Sequence, residues 1–317
     1  MKFEQFDLER NQSLFEHKVD FNLSESGVHP LKLTEILSKA ELENLLELQL
    51  SYGHTNGTKT LRKLVSNMYD SNISHDNVLI TSGSAEANFL SVMTQLERGN
   101  EIIYMIPNYL QIRHLARSFG IIVKDLPLRQ SLGWQWDLDE LKSLISPKTK
   151  MIVICNPNNP TGAIMLESVM DEIIKIAKNY DCWILSDEVY RGSELDGLEC
   201  RSFAGSTQKT IVNCGLSKAY SLPGLRLGWS VGSENYIQKA WSFHDYTVIN
   251  ISILSDWITT KILVPNRRKK ILDRTKKHLN TNLKLLMNWA EDNPGLSITH
   301  PQAAAIVFAK LNISILS

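Results

Sequence analysis

Five short segments of this 317-residue chain carry side chains whose type and placement could do chemistry. Lys218 lies in Gly215-Leu216-Ser217-Lys218-Ala219-Tyr220, just past a β-rich run at 210–215. A lysine there is costly unless it reacts. Partly buried, it would be a nucleophilic amine able to form a Schiff base. Arg226 follows eight residues on, in Pro223-Gly224-Leu225-Arg226-Leu227-Gly228. Its planar fork matches phosphate oxygens. Upstream, Thr81-Ser82-Gly83-Ser84-Ala85-Glu86 closes a strand and opens a helix, offering backbone N–H groups and the helix dipole to a phosphate. Asp187 ends the strand 183–187, within Ser186-Asp187-Glu188-Val189-Tyr190. A buried acid must be paired. A protonated ring nitrogen is a suitable partner, and the competing reading is a cap for the following helix. Tyr190 is placed to reach the same ligand. Asn159 belongs to Asn156-Pro157-Asn158-Asn159-Pro160-Thr161-Gly162, where two X-Pro steps and a glycine force a turn. Its amide can donate into the same crevice.

The elements that must position these residues are legible as an alternation. β-rich apolar runs occur at 78–81, 102–107, 121–126, 151–155, 183–187, 210–215 and 227–232. Several are apolar at consecutive positions, as in strands buried on both faces. Helix-like segments such as 166–180 lie between them. The pattern predicts an α/β fold with a wound, mostly parallel sheet. In such sheets ligands sit at the carboxyl ends of the strands, where these residues fall. Residues 235–262 read as helix and 266–290 as a long amphipathic helix. The basic run at 267–270 reads as a solvated helix face. Residues 294–317 resemble the start of a smaller, incomplete α+β domain, with Ile306, Val307 and Phe308 as strand formers. The expected organisation is an N-terminal segment (1–45) that joins the small domain and covers substrate, a large ligand-binding domain (46–262), and a linking helix with the start of the small domain (263–317).

Composition excludes several classes. With 43% hydrophobic and 21% charged residues, the chain is an ordinary globular sequence. Its 34 basic and 34 acidic residues give no net charge and no footprint for nucleic acid. No apolar run reaches bilayer length. The polar N-terminus lacks a signal-peptide pattern. Cys155, Cys182, Cys200 and Cys214 have no metal-binding spacing and read as reduced core thiols of a cytoplasmic protein. No metal site is expected.

The order of the motifs, phosphate loop, aromatic, Asn, Asp with Tyr, then Lys with Arg, resembles that of the aminotransferase superfamily with the type I pyridoxal-phosphate fold, from about residue 20 onward. The resemblance implies pyridoxal 5'-phosphate as cofactor. Lys218 would be the Schiff-base lysine and proton shuttle, and Asp187 the partner of the pyridine nitrogen that makes the ring an electron sink. Tyr190 and Asn159 would donate to the ring oxygen, with Asn159 also facing substrate. Tyr109 would stack on the ring, and Ser84, Ala85 and Arg226 would contact the phosphate. Tyr52 resembles the tyrosine that reaches the phosphate of a neighbouring subunit, which implies a homodimer.

Three departures from the family pattern stand out. Gly215 replaces a common serine, and Ser217 would substitute for it. The stretch Ser26-Gly27-Val28-His29-Pro30 resembles the oxygen-using arginine oxidases and hydroxylases, and capreomycidine-type synthases, of the same superfamily. Gly27 would then lie against substrate and His29 would move protons or position water. The chain also stops as the small domain begins. A truncated product is expected, without the family's substrate-carboxylate arginine, and Arg191 or Arg201 would have to replace it. The leading expectation is an aminotransferase acting on a free L-amino acid and a keto acid. The alternatives are an oxygen-using arginine oxidase or hydroxylase and a weakly active or inactive cofactor-binding relative. A cofactor-binding sensor ranks last, because about twenty residues precede the resembling region.

Overall fold

The computed structural model describes residues 3–69 and 72–312. Its centre is a seven-stranded sheet of β1 (Val78–Thr81), β2 (Glu101–Ile106), β3 (Ile122–Pro127), β4 (Thr149–Cys155), β5 (Trp183–Asp187), β6 (Thr210–Gly215) and β7 (Gly228–Val231), in the order β1-β7-β6-β5-β4-β2-β3. The pairs β2–β3, β2–β4, β4–β5 and β5–β6 are parallel. β7 is antiparallel to both its neighbours. Strands β1, β6 and β7 are buried at every position, as their largely apolar character requires when both faces are covered.

The helices are α1 (Asp7–Phe15), α2 (Leu33–Ile36), α3 (Lys39–Leu46), α4 (Lys59–Ser66), α5 (Gly83–Gln95), α6 (Gln111–Ser118), α7 (Leu138–Leu144), α8 (Glu167–Asn179), α9 (Glu234–His244), α10 (Ile253–Ile262) and α11 (Pro265–Glu291). On one face of the sheet, Leu79, Ile102, Tyr104, Val153, Leu185 and Ile211 pack with residues of α5, α6 and α9. On the other, Ile80, Ile103, Ile152, Ile184 and Val212 pack with α4, α8, α10 and α11. This is the expected wound α/β layering.

Two expectations are corrected. The helix predicted over 235–262 is two helices, broken at 245–252, where Ile249 adopts φ 63° and the His244 carbonyl accepts three N–H groups. The β-branched run Thr247-Val248-Ile249 has weak helix propensity and so accepts the break. The terminal strand is not at 306–308. It is β9 (Ala309–Leu311), antiparallel to β8 (Leu296–Ile298). The end of that segment, residues 313–317, lies outside the described residues. Cys155, Cys182 and Cys214 are buried, whereas Cys200 is only half-buried. Among the described residues, no helix is long and apolar enough to cross a membrane.

Candidate active site

Strand polarity gathers the chemistry at one edge. β4, β5 and β6 run in parallel and end at Cys155, Asp187 and Gly215. Because β7 is antiparallel, its first residue, Gly228, pairs with Gly215 and with Thr81, the last residue of β1. The loop bearing Arg226 and the start of α5 therefore meet where β6 delivers Lys218.

An anion cradle results. The N-terminus of α5 carries no side-chain cap, and Gly83 adopts φ +78° there. Free helix N–H groups and the positive end of the dipole favour a phosphate. The Arg226 guanidinium lies over this end, with Nη2 2.8 Å from where a Cβ on Gly83 would stand. Arg226 Nη1 also points to Ser217 Oγ at 3.5 Å. The helix approaches β7 so closely that a Cβ on Gly228 would fall 2.5 Å from Ser84 N. A Cβ on Gly215 would meet Leu227 O at 3.1 Å and Ser84 N at 3.4 Å. The absence of the family's serine at 215 thus fits tight packing of the phosphate helix. Ser84, Ala85, Ser217 and Arg226 all lie at this helix end.

Asp187 is 8% exposed. Its Oδ2 accepts from Asn88 Nδ2 at 3.0 Å and its Oδ1 from Val189 N at 3.2 Å. Burial pushes its pKa up, against the pull of the Asn88 and Val189 hydrogen bonds and the Lys218 charge. Among the described residues no cation lies within salt-bridge distance of this carboxylate, and a protonated ring nitrogen would supply one. The helix-cap alternative fails, because the chain after Asp187 forms turns.

Asn159 Nδ2 donates to the Tyr190 hydroxyl at 3.3 Å, so these two side chains meet. Burial raises the Tyr190 pKa and keeps it a neutral donor. In the same loop, Asn158 Oδ1 accepts from Thr161 Oγ1 and Asn156 Oδ1 from the Met165 N–H. They shape the turn and leave Asn159 to face the crevice. Tyr109 is close enough to Asp187 and Tyr190 for both to bear on its hydroxyl, whose pKa burial raises. That hydroxyl donates to Glu9 at 2.7 Å, and the Phe6 ring meets the Tyr109 ring edge-on at 5.1 Å. The segment entering α1 therefore lies against Tyr109.

Lys218 Nζ donates to Ser26 Oγ at 2.7 Å and lies 3.5 Å from Glu25 Oε1. The Ser26 carbonyl accepts from Tyr190 at 3.3 Å. A Cβ on Gly27 would lie 3.8 Å from Ser217 O, so the N-terminal segment crosses directly over the lysine loop. Glu25 and Ser26 were not singled out from sequence, since 192 residues separate Ser26 from Lys218. Nor were Asn88 and Asn213. The one signal was Asn213, a polar residue inside the apolar strand β6.

His29 is exposed, and its recorded contact is its backbone carbonyl, which accepts from both Nη atoms of Arg274 at 3.3 Å. Tyr52 is 84% exposed. Neither Arg191 nor Arg201 faces the crevice. Arg191 donates to Cys200 O and Met68 O and lies 3.5 Å from Glu199. Arg201 pairs with Asp171 at the surface. Both were expected as substitutes for a carboxylate-binding arginine, and both are committed elsewhere.

A lysine just past the end of a strand in a wound sheet, a buried acid, two converging polar side chains and an uncapped helix N-terminus beneath an arginine are the groups that a pyridoxal-phosphate type of site calls for. The chain matches the aminotransferase class I and II family over residues 20–314, and it belongs to that family. Family members use pyridoxal 5'-phosphate. The chain is similar to an aspartate aminotransferase of Pyrococcus horikoshii, with 30% identity over 77% of this chain and 63% of that protein. It is also similar to the capreomycidine synthase of Streptomyces vinaceus, with 28% identity over 89% of this chain and 72% of that protein. A solved PLP-dependent aminotransferase of Streptococcus suis superposes with a TM-score of 0.91 at 31% identity, covering 99% of this chain and 84% of that one. Among the first curated relatives, the chain spans only 48% to 63% of their length.

Proposed function

We propose that the chain binds pyridoxal 5'-phosphate and transfers the amino group of a free L-amino acid to a keto acid. The observation that carries this reading is the convergence of Lys218, Asp187, Tyr190, Asn159 and Arg226 at one end of the sheet, within a family of pyridoxal-phosphate enzymes. The α5 N-terminus and Arg226 hold the phosphate. Tyr109 covers one face of the ring. Asp187 keeps a proton on the ring nitrogen, and Asn159 Nδ2 and the Tyr190 hydroxyl hold the ring oxygen. When bound, the cofactor supplies an electron sink for the charge left at the substrate's α-carbon. Lys218 Nζ holds the cofactor before substrate arrives, then takes the α-proton and returns it. Ser26 Oγ, 2.7 Å from Nζ, restrains the amine between these tasks.

A second reading, an oxygen-using enzyme acting on arginine, draws support from the contact between the Ser26–His29 segment and Lys218. An assay separates the two. Purified chain with cofactor is offered each amino acid with and without a keto acid, following keto-acid exchange and oxygen uptake. Exchange without oxygen uptake supports transamination. Oxygen uptake on arginine without a keto acid supports the second reading.

We further infer a homodimer of a cytoplasmic type of enzyme, with Tyr52 serving the partner's phosphate. The exposed Tyr52, Leu46, Leu50 and Tyr246 support this reading. Two-fold pairing is the commonest closed symmetry.

A further inference from the structure

Behind Asp187, on the side away from Lys218, lies a run of buried polar side chains that the reaction does not touch. Asn88, Ser91, Asn213, Ser230 and Tyr236 are each at most 2% exposed. They lie among Leu79, Leu90, Leu185, Ile211 and Ile237. Packing alone does not call for them. Buried polar groups cost free energy that their hydrogen bonds at best offset, and an apolar set of similar shape serves a core at least as well.

Their hydrogen bonds close in a consistent sense from Ser91 to Asp187. The Ser91 hydroxyl gives its single proton to the Ala87 carbonyl at 2.8 Å, a group that can only accept. Ser91 Oγ must therefore accept from Asn213, whose Nδ2 stands 3.0 Å away. The Asn213 amide is thereby oriented. Its other Nδ2 proton goes to Asn88 Oδ1 at 2.9 Å, and its Oδ1 accepts from the Ser230 hydroxyl at 2.6 Å. The Tyr236 hydroxyl lies 2.8 Å from Ser230 Oγ and 3.0 Å from Ser91 Oγ, and its one proton goes to one of the two. With Asn88 Oδ1 occupied by a donor, its Nδ2 must face Asp187 Oδ2, where it lies at 3.0 Å. The far end is tightly seated: a Cβ on Gly232 would fall 2.6 Å from the Tyr236 ring.

We propose that Asn88 and Asn213 are positioning residues for Asp187: the polarised chain from Ala87 O through Ser91, Asn213 and Asn88 presents a fixed N–H to Asp187 Oδ2 and holds the carboxylate ionised and aimed at the cofactor's ring nitrogen. The proposal rests on the reading of Asp187 as the partner of that nitrogen. Both Asp187 oxygens are already acceptors, from Asn88 and from Val189 N–H. A proton on either oxygen would put a donor where the surroundings supply donors. The chain thus opposes, at a distance, the burial that pushes Asp187 toward its neutral form.

The test uses the full chain loaded with cofactor. Asn88→Ala, Ser91→Ala and Tyr236→Phe are each made alone and with Asp187→Asn. Two quantities are read: the cofactor dissociation constant by equilibrium dialysis, and the ring-nitrogen 15N shift of 15N-labelled bound cofactor. Asn88→Ala is expected to weaken cofactor binding tenfold or more and to move the 15N shift toward that of an unprotonated ring. Tyr236→Phe and Ser91→Ala, which remove single atoms and keep the fold, shift both readouts in the same direction by a few-fold or less. In the Asp187→Asn background none of the three changes adds anything, as expected of residues that act through one group. The proposal is overturned if Asn88→Ala leaves the 15N shift unmoved, or if its loss of affinity is the same with and without Asp187. An Asp187→Asn variant that itself keeps wild-type affinity and 15N shift overturns the site reading together with the proposal. A normal Asp187→Asn loss with an inert Asn88→Ala overturns the proposal alone.

Discussion

Replacing Asp187 by Asn separates function from stability. Asp187 is 8% exposed, and its hydrogen-bond partners are one amide and one backbone N–H. In the cofactor-free chain this is a buried carboxylate without a paired cation, and its pKa is pushed up by burial. A carboxyl group with a raised folded-state pKa favours folding below its ordinary value of 3.8. That contribution is lost as pH rises through the raised value. At neutral pH the ionised group therefore costs the cofactor-free chain stability; Asn removes that cost but sets an NH2 group against one of the two donors, Asn88 Nδ2 or Val189 N–H, so the two effects oppose each other. With cofactor bound, the same carboxylate is one half of a buried charge pair. Removing one member of such a pair costs about 3–5 kcal/mol. At about 1.4 kcal/mol per decade, this is roughly a hundred- to several-thousand-fold in rate. Asp187→Asn is thus expected to leave the Tm of the cofactor-free chain at pH 7 within a few degrees of wild type while kcat/KM falls by at least two orders of magnitude. Calorimetry and steady-state amino-group transfer read the two effects. Near-normal kcat/KM, or a Tm several degrees below wild type, would refute the reasoning.

Other substitutions probe the remaining parts. Arg226→Ala removes a charged donor at the α5 cradle and is expected to weaken cofactor binding by about 1.5–3 kcal/mol, read by equilibrium dialysis, with little change in Tm. Gly228→Ala, whose Cβ would lie 2.5 Å from Ser84 N, displaces the start of α5 and should weaken cofactor binding as well. Burial works against ionised Glu86, but hydrogen bonds from His244, Thr247 and Ser82 N–H outweigh it and lower its pKa. Its stabilising contribution is present above its ordinary 4.5 and is lost as pH falls through the lowered value. The Tm difference between wild type and Glu86→Gln should therefore narrow as pH is lowered below that point. Mixing Tyr52→Phe chains with Lys218→Ala chains should restore some activity if two subunits share each site, whereas a cofactor-saturated monomer in analytical ultracentrifugation would contradict the dimer.

Local pattern carried much of this molecule. The seven core strands fall within a residue or two of their apolar runs, because a strand covered on both faces leaves an uninterrupted apolar signature. Lys218, Asp187 and Asn159 were legible because strand ends in such sheets must deliver their loops to one edge. The break at 245–252 was hidden, since the apolar residues on either side of it continue a helical spacing. Ser26 and Glu25 were hidden because their contact with Lys218 is purely tertiary. Asn88 was hidden for another reason: on a helix, a buried asparagine and a solvated one look alike until the helix is docked. Tyr52 shows the limit from the other side. Its exposure acquires meaning only from a second chain.

The account stands most directly on Lys218. Purified chain loaded with pyridoxal 5'-phosphate, reduced with borohydride and digested, should yield one cofactor-bearing peptide, with the label on Lys218 and absent from the Lys218→Ala chain. A label fixed to any other lysine, or no reducible adduct in a chain saturated with cofactor, would contradict it.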